Sequence, residues 1–228
     1  MKWTFFIRQK LKIALLLGGV LLLVGMTTFL ERKHMANMDK SFTSIYNDRL
    51  IPTTEIFYLA EQLYQKRLTL QRYFLTGDPE NVNIIYEKLN EHNEVIDTLI
   101  HAFEKSHLVE NEFICFNGFK NDIKDYASLE QSMLVFCEKG QQSQCLETFD
   151  NEAQEKFASI IARLNELTGI QTEVGSSILS ESKVIVAGAN VVSRLQIALI
   201  LIIGIIIQIL VLTSKAIKTR KHQKFSMN

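Results

Sequence analysis

Two long, uncharged apolar runs constrain this chain more than any other feature. They are "IALLLGGVLLLVGMTTFL" at residues 13–30 and "LQIALILIIGIIIQILVLT" at residues 195–213. A helix needs about 20 mostly apolar residues to cross the hydrocarbon core of a bilayer, and no other segment approaches that length. The first run exceeds the apolar region of a typical signal peptide and no A-x-A-like cleavage site follows it. We therefore interpret both runs as transmembrane helices, the first as an uncleaved signal anchor.

The distribution of charge indicates how the two runs are oriented. The flanks at residues 1–12 and 214–228 hold nine of the 25 Lys and Arg residues and none of the 25 Asp and Glu residues, so residues 31–194 carry a net charge of −9. Basic flanks face the cytoplasm under the positive-inside rule. We therefore expect both termini in the cytoplasm and residues 31–194 outside it. In a Gram-negative bacterium the chain would contact inner (cytoplasmic) membrane lipid, with its central domain in the periplasm.

Turn signals divide the middle segment into helices. "TGDPEN" at residues 76–81 and "EKGQQ" at residues 138–142 have the composition of turns. A weaker break lies at "EKSHLVEN", where Ser106 or Asn111 could cap a new helix. We therefore predict an all-α fold, an antiparallel up-down four-helix bundle flanked by the two transmembrane helices. The four bundle helices are expected at about 31–75, 80–105, 109–138 and 143–194.

The apolar positions of these helices recur at helical spacing. On the last helix they alternate by three and four residues, a 3.5-residue repeat typical of left-handed coiled-coil packing, and the repeat continues into the second apolar run. Gln171 and Glu181 occupy two positions of that seam, where a polar side chain could set the register or leave the seam wet. The other helices are expected to bury Ile56, Leu59, Leu63, Leu70 and Phe74; Ile84, Ile85, Leu89, Ile96 and Phe103; and Phe113, Phe116, Phe119, Tyr126 and Met133.

A local motif accompanies this layout. In "SIYNDRLIPTTEIFYL", residues Tyr46, Arg49 and Pro52 form an aromatic-x-x-Arg-x-x-Pro pattern early in the first exported helix. Together with the helix pattern over residues 1 to about 214, the motif resembles the ligand-sensing four-helix bundle of methyl-accepting chemotaxis receptors. The resemblance implies a homodimeric bundle outside the cytoplasm that binds a small solute or a solute-binding protein. Small motions of its last helix would then cross the membrane.

The segment after the second apolar run departs from that family. Family members usually continue into a HAMP linker and a long cytoplasmic coiled coil that controls a kinase, whereas here residues 214–228 follow. We therefore expect no HAMP or signalling domain, and a chemoreceptor-like sensory protein that signals to a separate membrane or cytoplasmic protein. The alternative is a non-sensory structural or accessory subunit of a membrane complex.

The distal part of the first exported helix is the candidate ligand site. Guanidinium groups hold carboxylates bidentately, and the resemblance implies that receptors for amino or organic acids use Arg on this helix. The alternative is that these side chains are solvated positions near a polar bundle face. The candidate ligand-binding residues are Arg67, Arg72, Tyr64, Gln71 and Tyr73.

Two further features of the exported segment have structural interpretations. Cys137 and Cys145 flank the turn "EKGQQSQ" in a compartment where thiols oxidise, so a disulfide could join them across a hairpin. The alternative is that these cysteines and Cys115 are buried thiols. Pro52 removes one backbone hydrogen bond inside a helix, and we expect it to kink or restart the first bundle helix.

Other classes of function lack the residues that they need. The sequence has no Gly-rich phosphate loop, no nucleophile elbow and no Cys-His pair with the spacing of a known enzyme family, so we expect neither catalysis nor a cofactor. Asp97, His101 and Glu104 share a helical face but match no established zinc motif, so no metal is expected. The strongly basic segments are the membrane flanks, which gives no support to a nucleic-acid partner.

Overall fold

The chain folds into helices alone over the residues that can be described. A computed structural model describes the backbone of residues 2–76 and 82–222 and the side chains of residues 18–75 and 83–209. This part of the chain is 95% helical and contains no strand, which confirms the predicted all-α class. The elements are α1 (Lys2–Ile45), a π-helical turn (Tyr46–Leu50), α2 (Ile51–Thr76), α3 (Val82–Glu104), α4 (Glu110–Glu138), α5 (Gln142–Asp150) and α6 (Glu152–His222).

The predicted breaks agree with these bounds. Helix α3 ends and α4 begins on either side of the "SHLV" segment, and α4 and α5 are separated by the "KGQ" segment. Helix α2 ends at Thr76 and α3 begins at Val82, so the bounds are consistent with a turn at "TGDPEN". That turn itself lies outside the described residues.

Gly140 terminates α4 in a left-handed conformation. Its φ is +72°, a value that side chains with a Cβ rarely adopt. The Gly140 N–H donates to the Cys137 carbonyl at 3.0 Å, and the Gln141 N–H donates to the Phe136 carbonyl at 2.9 Å. These two bonds form a Schellman motif, which satisfies carbonyls that the helix end would otherwise leave without a partner.

Two local expectations are wrong. The fourth bundle helix was predicted to be continuous from residue 143, but Asn151 (φ −107°, ψ −87°) separates α5 from α6. The Asn151 side chain donates to the Glu147 carbonyl at 3.0 Å, a local bond by which Asn competes with helical geometry. The N-cap of α4 is Val109, in an extended conformation, and not Ser106 or Asn111.

The chain divides into two compact units. One is Ser41–Leu179, which is the bundle, and the other combines residues 1–40 with residues 180–228. Among the described residues, one helical stretch, Gln142–Ile209, has a window long and apolar enough to cross a membrane, and none of that window is buried inside the protein. The predicted first transmembrane helix, residues 13–30, falls partly outside the described side chains.

Contacts between helices fix their directions inside the bundle. Arg49 contacts Gln171, whereas Arg67, further along α2, contacts Gln154, so α2 and α6 run antiparallel. Helices α3 and α4 are also antiparallel, because Glu104 contacts Lys120 while Tyr86, earlier in α3, contacts Glu138. These pairings follow the order expected of an up-down bundle.

The core of the bundle lies along the predicted seams. On α6, four consecutive seam residues, Phe157 to Leu167, are buried. Ile84 and Phe113 were expected in the core but are about half exposed. On α4 the three-four spacing runs through Glu112 and Phe116, so Phe113 falls one position off the seam. The other core side chains include Ile56, Leu59, Leu63, Leu70, Phe74, Leu89, Ile96, Phe103, Phe119, Tyr126 and Met133.

Two glycine substitutions should change stability in opposite directions. Gly140→Ala should lower the free energy of unfolding by ~1 kcal/mol, because the new Cβ is strained at positive φ. Gly169→Ala should raise it by ~0.5–1 kcal/mol, because Gly169 lies exposed within α6, where an added methyl group meets no atom within 4 Å. Thermal unfolding of the full chain in detergent, followed by helical circular dichroism, measures both. A Gly140→Ala variant as stable as the parent protein, or more stable, would contradict the assigned turn.

Candidate functional site

A buried polar cluster joins three segments of the bundle. Arg49, in the π-helical turn, is 5% exposed; Glu112 on α4 is 0% exposed and Gln171 on α6 is 1% exposed. The Arg49 Nη1 donates to both Glu112 carboxylate oxygens at 2.9 Å and to the Gln171 Oε1 at 3.1 Å. Its Nη2 donates to the His107 carbonyl at 3.1 Å. The Arg49 guanidinium therefore links the π-helical turn to the α3–α4 connection, to α4 and to α6.

Pro52 lies two residues after the last residue of the π-helical turn, Leu50. In this turn the Ile51 N–H donates to the Tyr46 carbonyl five residues earlier. Pro52 is buried and has no N–H to donate to the carbonyl four residues before it. The Thr53 hydroxyl donates to the Arg49 carbonyl at 2.7 Å. The irregular backbone predicted at Pro52 thus takes the form of a π turn just before it, a feature often found at functional sites.

Glu112 has a second role at the start of α4. Its Oε2 accepts a hydrogen bond from the Val109 N–H at 2.8 Å, one half of a capping box. This bond satisfies a backbone donor at the helix start while the same carboxylate pairs with Arg49. The start of α4 and the position of the first helix therefore depend on one side chain.

The cluster is not fully satisfied. Within the described part of the chain, the Arg49 Nε and the Gln171 Nε2 are buried without a hydrogen-bond partner. A buried polar group left without a partner costs about 1–3 kcal/mol. Two polar residues were predicted on the seam of the last helix. Gln171 is buried in this cluster, whereas Glu181 is exposed.

A second buried ion pair lies further along the bundle. The Lys66 Nζ and a Glu130 carboxylate oxygen are 2.5 Å apart, and both side chains are buried. Burial raises the Glu130 pKa, although the Lys66 charge acts against that shift. Beside this pair, the His92 Nδ1 lies 2.8 Å from the Gln62 Oε1. Burial, followed by the Lys66 charge, lowers the His92 pKa below its usual value.

Both ion pairs occupy seam positions that were not among the predicted core residues. On α2 the three-four spacing that links Ile56 to Leu63 extends back to Arg49 and forward to Lys66. Charged side chains at seam positions are the signal that could have predicted buried pairs. The matching partners on α4 follow the same spacing and are Glu112 and Glu130.

A pocket opens between the outer faces of α2 and α6, near the distal end of the bundle. Its volume is about 510 Å³, and Tyr64, Arg67 and Gln71 line it from α2. Gln154, Phe157 and Asn165 line it from α6. Three of the five predicted ligand residues are therefore brought together. Of the other two, Arg72 is exposed and Tyr73 is buried in the core, and neither lines this pocket.

Aromatic rings and neutral acceptors position Arg67. Its guanidinium carbon lies 4.2 Å from the centre of the Phe149 ring and 4.9 Å from that of Phe157, within the range of cation–π attraction. The Nη2 donates to the Gln154 Oε1 at 2.6 Å. The Nη1 makes two long bonds, to the Ala153 carbonyl at 3.4 Å and to the Tyr126 hydroxyl at 3.5 Å.

The short helix α5 carries Phe149 and is attached at both ends. Cys137 and Cys145 are joined by a disulfide, with their Cα atoms 5.8 Å apart. At the other end, the rings of Phe149 and Phe74 make an edge-to-face contact at 5.4 Å between centroids. Cys115 is a buried free thiol, and burial raises its pKa to about 11, so it is protonated near neutral pH.

The side chains considered as metal ligands in the sequence lie on α3. His101 and Glu104 approach to 3.3 Å on the surface of α3. In the described ranges no group of three or more His, Cys, Asp or Glu side chains is arranged to hold a metal ion.

Removal of the Glu112 charge should destabilise the bundle strongly. Glu112→Gln leaves the Arg49 cation buried without its anion, and such a change lowers the free energy of unfolding by about 3–5 kcal/mol. Glu104→Gln is the matched control, because Glu104 pairs with Lys120 near the surface, where an ion pair contributes less than ~1 kcal/mol. Thermal unfolding of both variants measures the difference, and equal small effects would contradict a structural role for the cluster.

The sequence of this bundle matches one protein family. A family model described as a four helix bundle sensory module for signal transduction matches residues 5–186, which include the polar cluster and the pocket. No curated protein and no solved structure matched. The family is a non-catalytic sensory module and is typically the periplasmic domain of membrane receptors. The chain belongs to the family of four-helix-bundle sensory modules of the methyl-accepting chemotaxis type.

Proposed function

We propose that the chain is a membrane-anchored sensor whose bundle binds a small ligand outside the cytoplasm. The family match supports a sensory role. The two apolar runs, at residues 13–30 and 195–213, would be the membrane spans, and the acidic segment 31–194 would be the exported domain. The exposure of large apolar side chains such as Leu22, Ile197 and Ile205 is consistent with contact with lipid.

The distal pocket is the proposed ligand site. It combines one guanidinium with amide and aromatic side chains, the mixture of few polar groups and apolar walls that small-molecule sites usually have. Its walls come from α2 and α6, so a bound ligand would contact the first and the last bundle helices together. This placement is the observation that carries the proposal, because a ligand there could change how those two helices pack.

An apolar stripe on α2 supports a homodimer. Five large side chains, four on α2 and one in the turn before it, lie within about 40° of one another around the helix axis, because they are spaced four or seven residues apart. Their exposed fractions are 49–70%, which is unusual for apolar residues in a regular row. A second copy of the chain would cover this stripe and, because Tyr64 and Leu68 also line the pocket, would lie against one edge of the ligand site. The five residues are Leu50, Phe57, Tyr64, Leu68 and Leu75.

Transmission would run through the last helix. Phe157 and Asn165 on α6 line the pocket, and Gln171 on the same helix contacts Arg49. A ligand that shifts α6 against α2 would strain the Gln171 contact and favour a different packing of the cluster. We propose that this shift continues into the membrane spans and reaches a signalling partner.

A pocket-filling substitution tests the proposal. Full-length protein in lipid nanodiscs is titrated with small carboxylates, amines and amino acids, and its unfolding temperature is measured. A ligand at 100 times its Kd should stabilise the parent protein by ~2.7 kcal/mol. Ala162→Phe, which fills the pocket wall, should abolish that stabilisation, whereas Ala127→Phe on the exposed face of α4 should retain it.

One result would count against a sensor, and another would count against this pocket as its ligand site. If no solute stabilises the parent protein, the accessory-subunit alternative is favoured. If a solute stabilises the parent and the Ala162→Phe variant equally, the ligand site lies elsewhere.

A further inference from the structure

Arg67 is the exception among the cations that the bundle shelters from solvent. Six Lys or Arg side chains in the described part of the bundle are buried or half-buried. Five of them lie within 3.3 Å of a carboxylate oxygen: Arg49, Lys66, Lys120, Lys156 and Arg163. The partners of Arg67 in the same part of the chain are all neutral, namely a hydroxyl, a carbonyl and an amide oxygen.

The guanidinium of Arg67 retains donors for a ligand. It has five N–H groups, and its three hydrogen bonds, two of them long, are made by Nη1 and Nη2 and not by Nε. The N–H groups that remain are on Nε and Nη2, nitrogens that can together hold a carboxylate side-on. A half-buried cation that has neutral partners and unused N–H donors can bind an anion from solution.

The other lining residues determine which further polar groups a ligand can carry beside its anionic group. No lining residue in the described structure is acidic, and the other polar side chains are the amides of Gln71, Gln154 and Asn165 and the Tyr64 hydroxyl. An ammonium group brought into the pocket would lose water without gaining a carboxylate partner, which is unfavourable. Glu61, one turn before Tyr64 on α2, lies outside the lining.

The apolar part of the pocket is large and partly aromatic. The rings of Phe157 and Tyr64 meet edge to face at 5.1 Å between centroids. Leu68, Ile161 and the small side chains Ala158 and Ala162 complete this wall. The small side chains leave room for a ligand body, and the aromatic rings favour a flat or aliphatic one.

We propose that the pocket selects an organic carboxylate with an apolar or aromatic body and no cationic group, and that it rejects α-amino acids. The carboxylate binds the Nε and Nη2 edge of Arg67, and the body packs against Phe157 and Tyr64. This inference rests on the proposed ligand role of the pocket and narrows the class of ligand.

Matched ligands test the inference on full-length protein in nanodiscs. The probes are 3-phenylpropanoate, L-phenylalanine, which adds only an ammonium group, and 3-phenylpropylamine, which replaces the carboxylate. Hexanoate and 2-aminohexanoate form an aliphatic pair, and acetate lacks an apolar body. At least one of 3-phenylpropanoate and hexanoate should bind, and its amino-acid counterpart, 3-phenylpropylamine and acetate should each bind at least tenfold more weakly.

Three variants assign the effect to the pocket. Arg67→Gln should weaken carboxylate binding at least tenfold, whereas Arg72→Gln, on the same helix but outside the lining, should change it less than twofold. Because Arg67→Gln also alters contacts with Phe149, Asn165→Asp provides a second test at the opposite wall. The added carboxylate should weaken the binding of 3-phenylpropanoate and strengthen the binding of 3-phenylpropylamine.

The possible failures are distinct. Amino acids or amines that bind as tightly as the carboxylates, with binding abolished by Ala162→Phe, would overturn the ligand class and leave the pocket as the sensory site. Acetate binding as tightly as 3-phenylpropanoate would overturn the requirement for an apolar body. If none of the probes binds the parent protein, the inference is overturned, and the wider solute titration then decides whether the pocket binds ligands at all.

Discussion

The ion pair between Arg49 and Glu112 is the interaction on which the arrangement of the bundle depends. The pair is almost completely buried, so water can hardly replace either charge as the partner of the other. Through the same two side chains the π-helical turn, the start of α4 and Gln171 of α6 are held in one register. Apolar seams alone would tolerate sliding by a turn more easily, because Leu and Ile contacts are not directional.

This arrangement gives a physical meaning to the aromatic-x-x-Arg-x-x-Pro pattern. Pro52 deprives the helix of one hydrogen bond, the π turn precedes it, and Arg49 lies within that turn with its side chain directed into the core. The buried donors on Arg49 and Gln171 that lack partners leave the network short of its best hydrogen bonding. Each of these unpartnered donors lowers the stability of this packing relative to any packing that would satisfy it.

Much of the fold was predictable because its signals are local. Gly140 and the three-four spacing from Phe157 onward predict a helix end and a core face without knowledge of the partner helices. Tyr64, Arg67 and Gln71 could be grouped for the same reason, since they are neighbours on one helix. The opposite pocket wall, with Gln154 and Asn165, could not be predicted in this way. Roughly 90 residues of sequence separate it from the α2 wall, and only folding brings the two walls together. The break at Asn151 accompanies a local bond from its side chain to the Glu147 carbonyl, and the apolar pattern alone does not indicate it.

A double-mutant cycle on Arg49→Met and Glu112→Leu, read as free energies of unfolding of the full chain, tests the central claim most directly. Each single change leaves one buried charge without its partner, whereas the double change removes both. A coupling energy of ~2 kcal/mol or more is expected, with the double variant losing much less stability than the sum of the single variants. Additivity within ~0.5 kcal/mol would mean that the two side chains do not hold the bundle together.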